Sequence, residues 1–261
     1  MRPILAIAGT TVGEAIRRRV LLIILLIGVL FLVVAPGLGV LSARSETTVL
    51  KGMMLGIIQL TSAVIAIVLT VYMIPNEIER RTIYTILSKP VQRWQFLFGK
   101  YLGAVGALGM MMALMSGILV FVYWLQQRNL GDAIDLVKAP AMYFVQMSLL
   151  AAVAIFFSTF VAPLVNFFLS GGVYLLGSLF NPFFQTLEEN KGTAEVAKWA
   201  AKVVNWCIPN FANYNVQNPL INPGVTIENE KTYYLMATLY GLLYIGALLV
   251  MGMLIFDKRE V

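Results

Sequence analysis

Between Lys138 and Glu188 the chain runs from residue 139 to residue 187 without a single Asp, Glu, Lys or Arg. As one helix rising 1.5 Å per residue, that run would be about 73 Å long, more than twice the thickness of a bilayer's hydrocarbon core. It must therefore fold back on itself. The turn is expected at residues 158–166, where Pro163 removes a backbone donor and disfavours helix at the residue before it.

Applying the same requirement of about 20 apolar residues per crossing to the whole chain gives six windows: 20–41, 52–74, 101–125, 139–161, 164–181 and 233–256. None contains a charged residue. Hydrophobic residues make up 59% of the 261 positions and charged residues 12%, against about 25% charged in a soluble domain. The expected fold is thus an all-α polytopic membrane protein, one unit over residues 1–261 with six transmembrane helices. The first apolar run is longer than a signal-peptide core and is followed by no clear A-x-A site, so it is expected to be retained as a span.

Orientation follows from charge. With both termini on the cytoplasmic side, the inner segments carry a net charge of +6 and the outer ones 0, as the positive-inside rule expects for short loops. That placement explains the chain's excess of Lys and Arg without a nucleic-acid partner. The absence of histidine and the presence of only Cys207 exclude HExxH zinc sites, His-containing triads, His-ligated haem and an internal disulfide. Met110, Met111, Met112 and Met115 are read as packing or lipid-facing residues, since nothing places further soft ligands beside them.

Three of the segments outside the windows carry a pattern of their own. Residues 1–19 place Ile4, Ala8, Val12 and Ile16 near one face and end in Arg17, Arg18 and Arg19. They form either an amphipathic interfacial helix or an extended start to the first span. Residues 76–89 are predicted to form a short amphipathic helix, with Asn76 able to cap it, Glu77 and Glu79 in its first turn, Ile83, Ile86 and Leu87 on one face, and Pro90 stopping it. Such a helix either docks a partner or rests on headgroups. The outside segment 182–232 contains a predicted helix at 193–207, with Val196, Ala200, Val203 and Cys207 on one stripe beside Trp199 and Trp206, and then an Asn- and Pro-rich loop at 208–223.

The string Glu79-Arg80-Arg81-Thr82-Ile83-Tyr84-Thr85-Ile86-Leu87-Ser88-Lys89-Pro90-Val91, followed by Arg93 and Phe98-Gly99-Lys100-Tyr101-Leu102-Gly103, resembles the coupling-helix region of ABC-2 type transporter permeases. It looks closest to the branch of the nitrous-oxide-reductase maturation and gliding-motility permeases, with Arg81 standing where many members carry glycine. The lead-in from Ile7-Ala8 through Glu14 to Leu21, and Ile208-Pro209-Asn210-Phe211 through Tyr214-Asn215, are similar to further family segments.

The resemblance implies a non-enzymatic permease subunit of the bacterial cytoplasmic (inner) membrane. It would pair with a second permease, be surrounded by membrane lipid, and be driven by separate ABC ATPase subunits that hold ATP and Mg. Docking would fall to the coupling helix through Glu77, Glu79, Arg80, Arg81, Thr82, Ile83, Ile86 and Leu87. The chain itself has no G-x-x-x-x-G-K-[ST], because Gly99-Lys100 is followed by Tyr101, and so no cofactor is expected on it. Export is expected because the resembled family mostly exports.

A stand-alone channel or carrier remains the alternative, although ion-coupled carriers usually keep ionisable groups at bilayer depth. Gln59, Thr61, Ser62, Gln146, Asn166 and Asn181 either line a path or join helices to one another.

Overall fold

The computed structural model describes residues 2–39, 46–79, 92–180, 195–196, 199, 202–203, 208–221 and 229–258. Among the described residues every regular element is helical. Helices α1 (Arg2–Arg17), α2 (Arg19–Gly39), α3 (Glu46–Val71) and α4 (Pro75–Glu79) precede α5 (Arg93–Gln127) and α6 (Leu130–Asp135). They are followed by α7 (Lys138–Ser158) and by α8 (Pro163–Leu175), which continues as a π-helical turn, Leu176–Phe180. A 3-10 turn, Phe211–Tyr214, then leads to α9 (Gln217–Ile221) and α10 (Glu230–Lys258).

Five helical stretches are long and apolar enough to cross a membrane: Arg19–Gly37, Thr47–Glu77, Arg93–Gln127, Leu130–Ser158 and Glu230–Asp257. The sixth, Pro163–Ser178, is shorter, about 24 Å at 1.5 Å per residue. The charge-free run does fold back. Helix α7 stops at Ser158, Ala162 is extended at φ −63° and ψ 148°, and Pro163 opens α8 at its first position, where its missing N–H costs no helical bond.

Helices α3 and α7 are the most enclosed. Leu50, Met54, Leu55, Ile58, Ile65 and Ala66 of α3, and Tyr143, Met147, Leu149 and Leu150 of α7, are buried. By contrast α2 turns Ile23, Leu26, Leu30 and Phe31 outward, while Leu21, Leu32 and Ala35 face in. A wide apolar outer face of that kind suits a hydrocarbon solvent.

Two helices begin more than five residues before their expected windows, for the same reason. Helix α5 begins at Arg93 rather than 101, and α3 begins at Glu46 rather than 52. A window closed at the first charge stops early wherever a neighbour supplies a partner for that charge. Lys51 in α3 donates to the Leu220 carbonyl (3.4 Å) and lies over the Tyr123 ring. Lys100 and Arg93 in α5 have the partners described below.

Helix α1 packs on α5 through two glycines. A Cβ on Gly99 would lie 3.0 Å from Ile7 Cβ, and one on Gly103 would lie 2.5 Å from Thr11 Cβ. Thr11 is buried there and donates to the Ile7 carbonyl at 2.8 Å. At the other end of the bundle, part of the expected loop 208–223 is folded inward. Phe211, Tyr214 and Val216 are buried, and Asn210 caps their turn by accepting from the Ala212 N–H. Within the predicted helix 193–207, Glu195, Val196, Trp199, Lys202 and Val203 are helical, with Val196, Trp199 and Val203 exposed. Cys207 and Trp206 lie outside the described residues.

Candidate functional site

The segment predicted to dock a partner begins where α3 ends. After Val71 the chain makes a turn in which Met73 and Ile74 are buried. Pro75, not Asn76, opens α4, and the Asn76 N–H reaches back to the Tyr72 carbonyl at 3.2 Å. Proline at a first helical position is favourable because that N–H would have no helical partner. Glu77 follows in the first turn and Glu79 closes the described part. Arg80, Arg81, Thr82, Ile83, Ile86 and Leu87 lie outside the described residues.

Glu77 is held by a lysine from another helix. Lys100 Nζ lies 2.6 Å from Glu77 Oε1 and 3.8 Å from Glu14 Oε2, so one ammonium bridges α5, α4 and α1. Lys100 is 4% exposed, Glu77 15% and Glu14 54%. The ammonium also lies 5.8 Å from the Phe96 ring centroid, close enough for a cation–π contribution. Because the lysine is so enclosed, loss of both carboxylate partners would cost about 3–5 kcal/mol, most of it the penalty of an uncompensated buried charge.

Seven residues earlier, Arg93 donates to the carbonyls of Phe256 (3.2 Å) and Asp257 (3.0 Å) at the end of α10. These are carbonyls that a helix C-terminus leaves without intrahelical donors, and a cation there is favoured by the helix dipole. Phe96 and Phe256 stack beside the contact with centroids 6.3 Å apart. The first two turns of α5 thus bind α1, α4 and α10 into one cluster, the basic end of the bundle.

Neutral amides join the helices farther from this cluster, toward the other end of the bundle. Gln59 Nε2 of α3 donates to Gln146 Oε1 of α7 (3.3 Å), and Gln146 Nε2 donates to the Phe211 carbonyl (3.0 Å). Gln217 Nε2 donates to Gln59 Oε1 (3.3 Å). Tyr214 Oη donates to the Ala237 carbonyl (3.1 Å) and Tyr233 Oη to the Asn213 carbonyl (2.6 Å), tying the inserted turn to α10. Gly177 sits in the π-helical turn, and Pro209 O would lie 2.5 Å from a Cβ there. The π turn and the inserted segment therefore meet backbone to backbone.

The remaining polar candidates also sit between helices. Asn166 Nδ2 donates to the Ala154 carbonyl (2.9 Å) and its Oδ1 accepts from Ser170 Oγ (2.8 Å), fastening α8 to α7. Thr61 faces Gly28 of α2, Ser62 is fully buried, and Asn181 lies outside the described residues. A separate apolar groove of about 580 Å³ lies between α5 and α7, lined by Gly109, Ala113, Gly117 and Phe144 among others. Of the methionines on α5, Met111, Met112 and Met115 are buried and Met110 is exposed.

Sequence reasoning singled out Glu77 but not its partner. The signal was present: Lys100 is a lone cation set in Phe98-Gly99-Lys100-Tyr101-Leu102, against the edge of a charge-free window. Reading the windows as free of ionisable groups overlooked a charge that the helix carries, one residue outside the window, into an enclosed position. Gln217 was missed because Asn and Pro around it read as loop, and Phe211 was named only within a family-like string, with no partner assigned to it.

No curated protein matches the chain. Residues 5–261 match the profile of a family described as ABC-2 family transporter protein. With that match over nearly its whole length, and with its apolar helices, the chain belongs to the ABC-2 transporter family and is a multi-pass membrane component of an ABC transporter.

Proposed function

We propose that the chain is a permease half of an exporter in a bacterial cytoplasmic membrane, with both termini cytoplasmic and with the basic end of the bundle facing the cytoplasm. It pairs with a second permease, identical or related, and two ATP-binding subunits hold ATP and Mg. Its branch is that of the nitrous-oxide-reductase maturation and gliding-motility permeases, on the likeness of residues 79–103. The observation that carries the reading is the family match over residues 5–261, since members of this family work with ABC ATPases.

The docking element is the segment 76–89. Glu79 contacts the ATPase surface, Ile83, Ile86 and Leu87 fill its groove, and Arg80, Arg81 and Thr82 orient the contact. Glu77 has a different part in it: through Lys100 it holds the root of the segment to α5. Closure of the ATPases displaces the segment, and the displacement switches a path between the paired permeases.

The test is Ile83→Asp combined with Ile86→Asp in a correctly inserted protein. Co-purification of the ATPase and its ATP turnover are expected to fall together. Unchanged association and turnover would refute the docking, and solute flux through proteoliposomes of this chain alone would favour a channel or carrier instead.

A further inference from the structure

Resting on the reading that ATPases act on the segment after α4, we infer that Lys100 is a positioning residue that passes its charge from Glu77 to Glu14 as that segment moves. The cluster has one partner on a movable element and one on a fixed element. Glu77 sits on the short α4, at the root of the docking segment. Glu14 sits on α1, and α1 is seated on the same helix that carries Lys100.

That seating does not depend on the acids. Gly99 and Gly103 bring the backbones of α1 and α5 together, and Ala15 and Thr11 are buried beside them. Lys100 and Glu14 therefore move as one body, whereas Lys100 and Glu77 separate when α4 shifts.

A charged lysine that is 4% exposed is costly to leave without a counter-charge. The flexible four-carbon stem lets its ammonium swing, and Glu14 Oε2 already stands 3.8 Å away. As the 2.6 Å contact to Glu77 lengthens, the ammonium settles on Glu14. Both positions of α4 are then electrostatically satisfied, and neither is trapped. Without Glu14 the shifted position would strand a buried charge, and the motion would stall.

The separating experiment uses the assembled complex, permease with its co-purifying ATP-binding subunits, in lipid nanodiscs. Glu14→Gln is conservative and lies at a half-exposed position, so the melting temperature and the retained ATPase are expected to match wild type. Its ATP turnover is expected to fall about tenfold or more, because the shifted state strands Lys100. Adding Lys100→Met removes the charge that needs a partner, so Glu14→Gln with Lys100→Met should turn over ATP at the rate of Lys100→Met alone.

A role for Glu14 in plain stability or in touching the ATPase would not be relieved in this way. Wild-type turnover in Glu14→Gln, or a defect that Lys100→Met does not relieve, overturns the inference while leaving the permease reading intact. A wild-type chain that retains no ATP-binding subunit overturns that reading and the inference with it.

Discussion

Replacing Gly103 with alanine should loosen α1 from the bundle, while the same replacement at Gly246 should stabilise the protein. The new Cβ at 103 would stand 2.5 Å from Thr11 Cβ and 2.8 Å from the Ala8 carbonyl oxygen. Carbon atoms pack at about 3.5–4.0 Å, so a gap of about 1 Å must open. Neither obstructing atom can rotate away: one belongs to the α1 backbone and the other is fixed directly to it. Helix α1 must retreat, and a retreat of that size forfeits a quarter to a half of each dispersion contact along the seam.

Overpacking of this kind costs about 1–3 kcal/mol, offset by about 1 kcal/mol of helix propensity gained on replacing glycine. The net is a loss of up to about 2 kcal/mol. At Gly246 no atom lies within 4 Å of the new Cβ, and only the gain of about 1 kcal/mol remains. None of the described glycines has a positive φ, so backbone strain enters neither case.

At about 2–4 °C per kcal/mol for a chain of this size, the two variants should melt on opposite sides of wild type in the same detergent. The Gly103 variant should also show faster amide exchange confined to residues 2–17. If both variants melt higher, propensity alone is acting, and the close seat of α1 on α5 is refuted.

Two further substitutions test the polar joints. Gln146→Leu removes the donor to the Phe211 carbonyl and the acceptor for Gln59, at about 1–3 kcal/mol for the groups left unsatisfied. Amide exchange should rise over residues 208–221, and unchanged exchange there would contradict the role assigned to the glutamine network. Asn166→Leu keeps the volume but loses the bonds to the Ala154 carbonyl and from Ser170, for about 1–2 kcal/mol between helices in a membrane. A fall of several degrees in melting temperature is expected; a variant as stable as wild type would show that apolar packing alone holds the hairpin.

Much of the architecture is legible because lipid imposes a simple rule. A helix satisfies its own backbone, so length and the absence of charge locate the apolar stretches, and Pro163 marks the fold-back. Helix ends are less legible, because a charge closes a window only if nothing nearby answers it. Lys51 is answered by a carbonyl 169 residues further along the chain, and Lys100 by acids 23 and 86 positions earlier. Pairings of that separation leave no periodic trace. Residues 208–217 fail for another reason: Pro209, Asn210 and Asn213 read as loop, yet with Phe211 and Tyr214 inserted the N–H groups of Asn210 and Ala212 and the carbonyls of Phe211 and Asn213 have side-chain partners. The tertiary context overrides a local signal that was correctly read.

The two ends of the bundle are joined by different chemistry, and the difference bears on which end can change shape. The amide network opposite the basic end is directional. Gln59, Gln146 and Gln217 each bond at 3.0–3.3 Å to a fixed partner, and such bonds weaken steeply when their angles degrade. Displacement there would break several bonds at once.

The basic end is held instead by cations on flexible stems. An ammonium has three rotatable donors and attracts a carboxylate from many directions, and at Lys100 two carboxylates are within 4 Å. A contact of that kind exchanges partners at little cost, whereas an amide network holds or fails. Helix α5, about 53 Å long by its rise per residue, runs from the exchanging cluster past the groove at Gly109–Gly117 toward its far end at Gln127. On the proposed reading, force applied at the root of the docking segment reaches that groove through one continuous helix, while the amide-linked end supplies the fixed frame against which the helix moves.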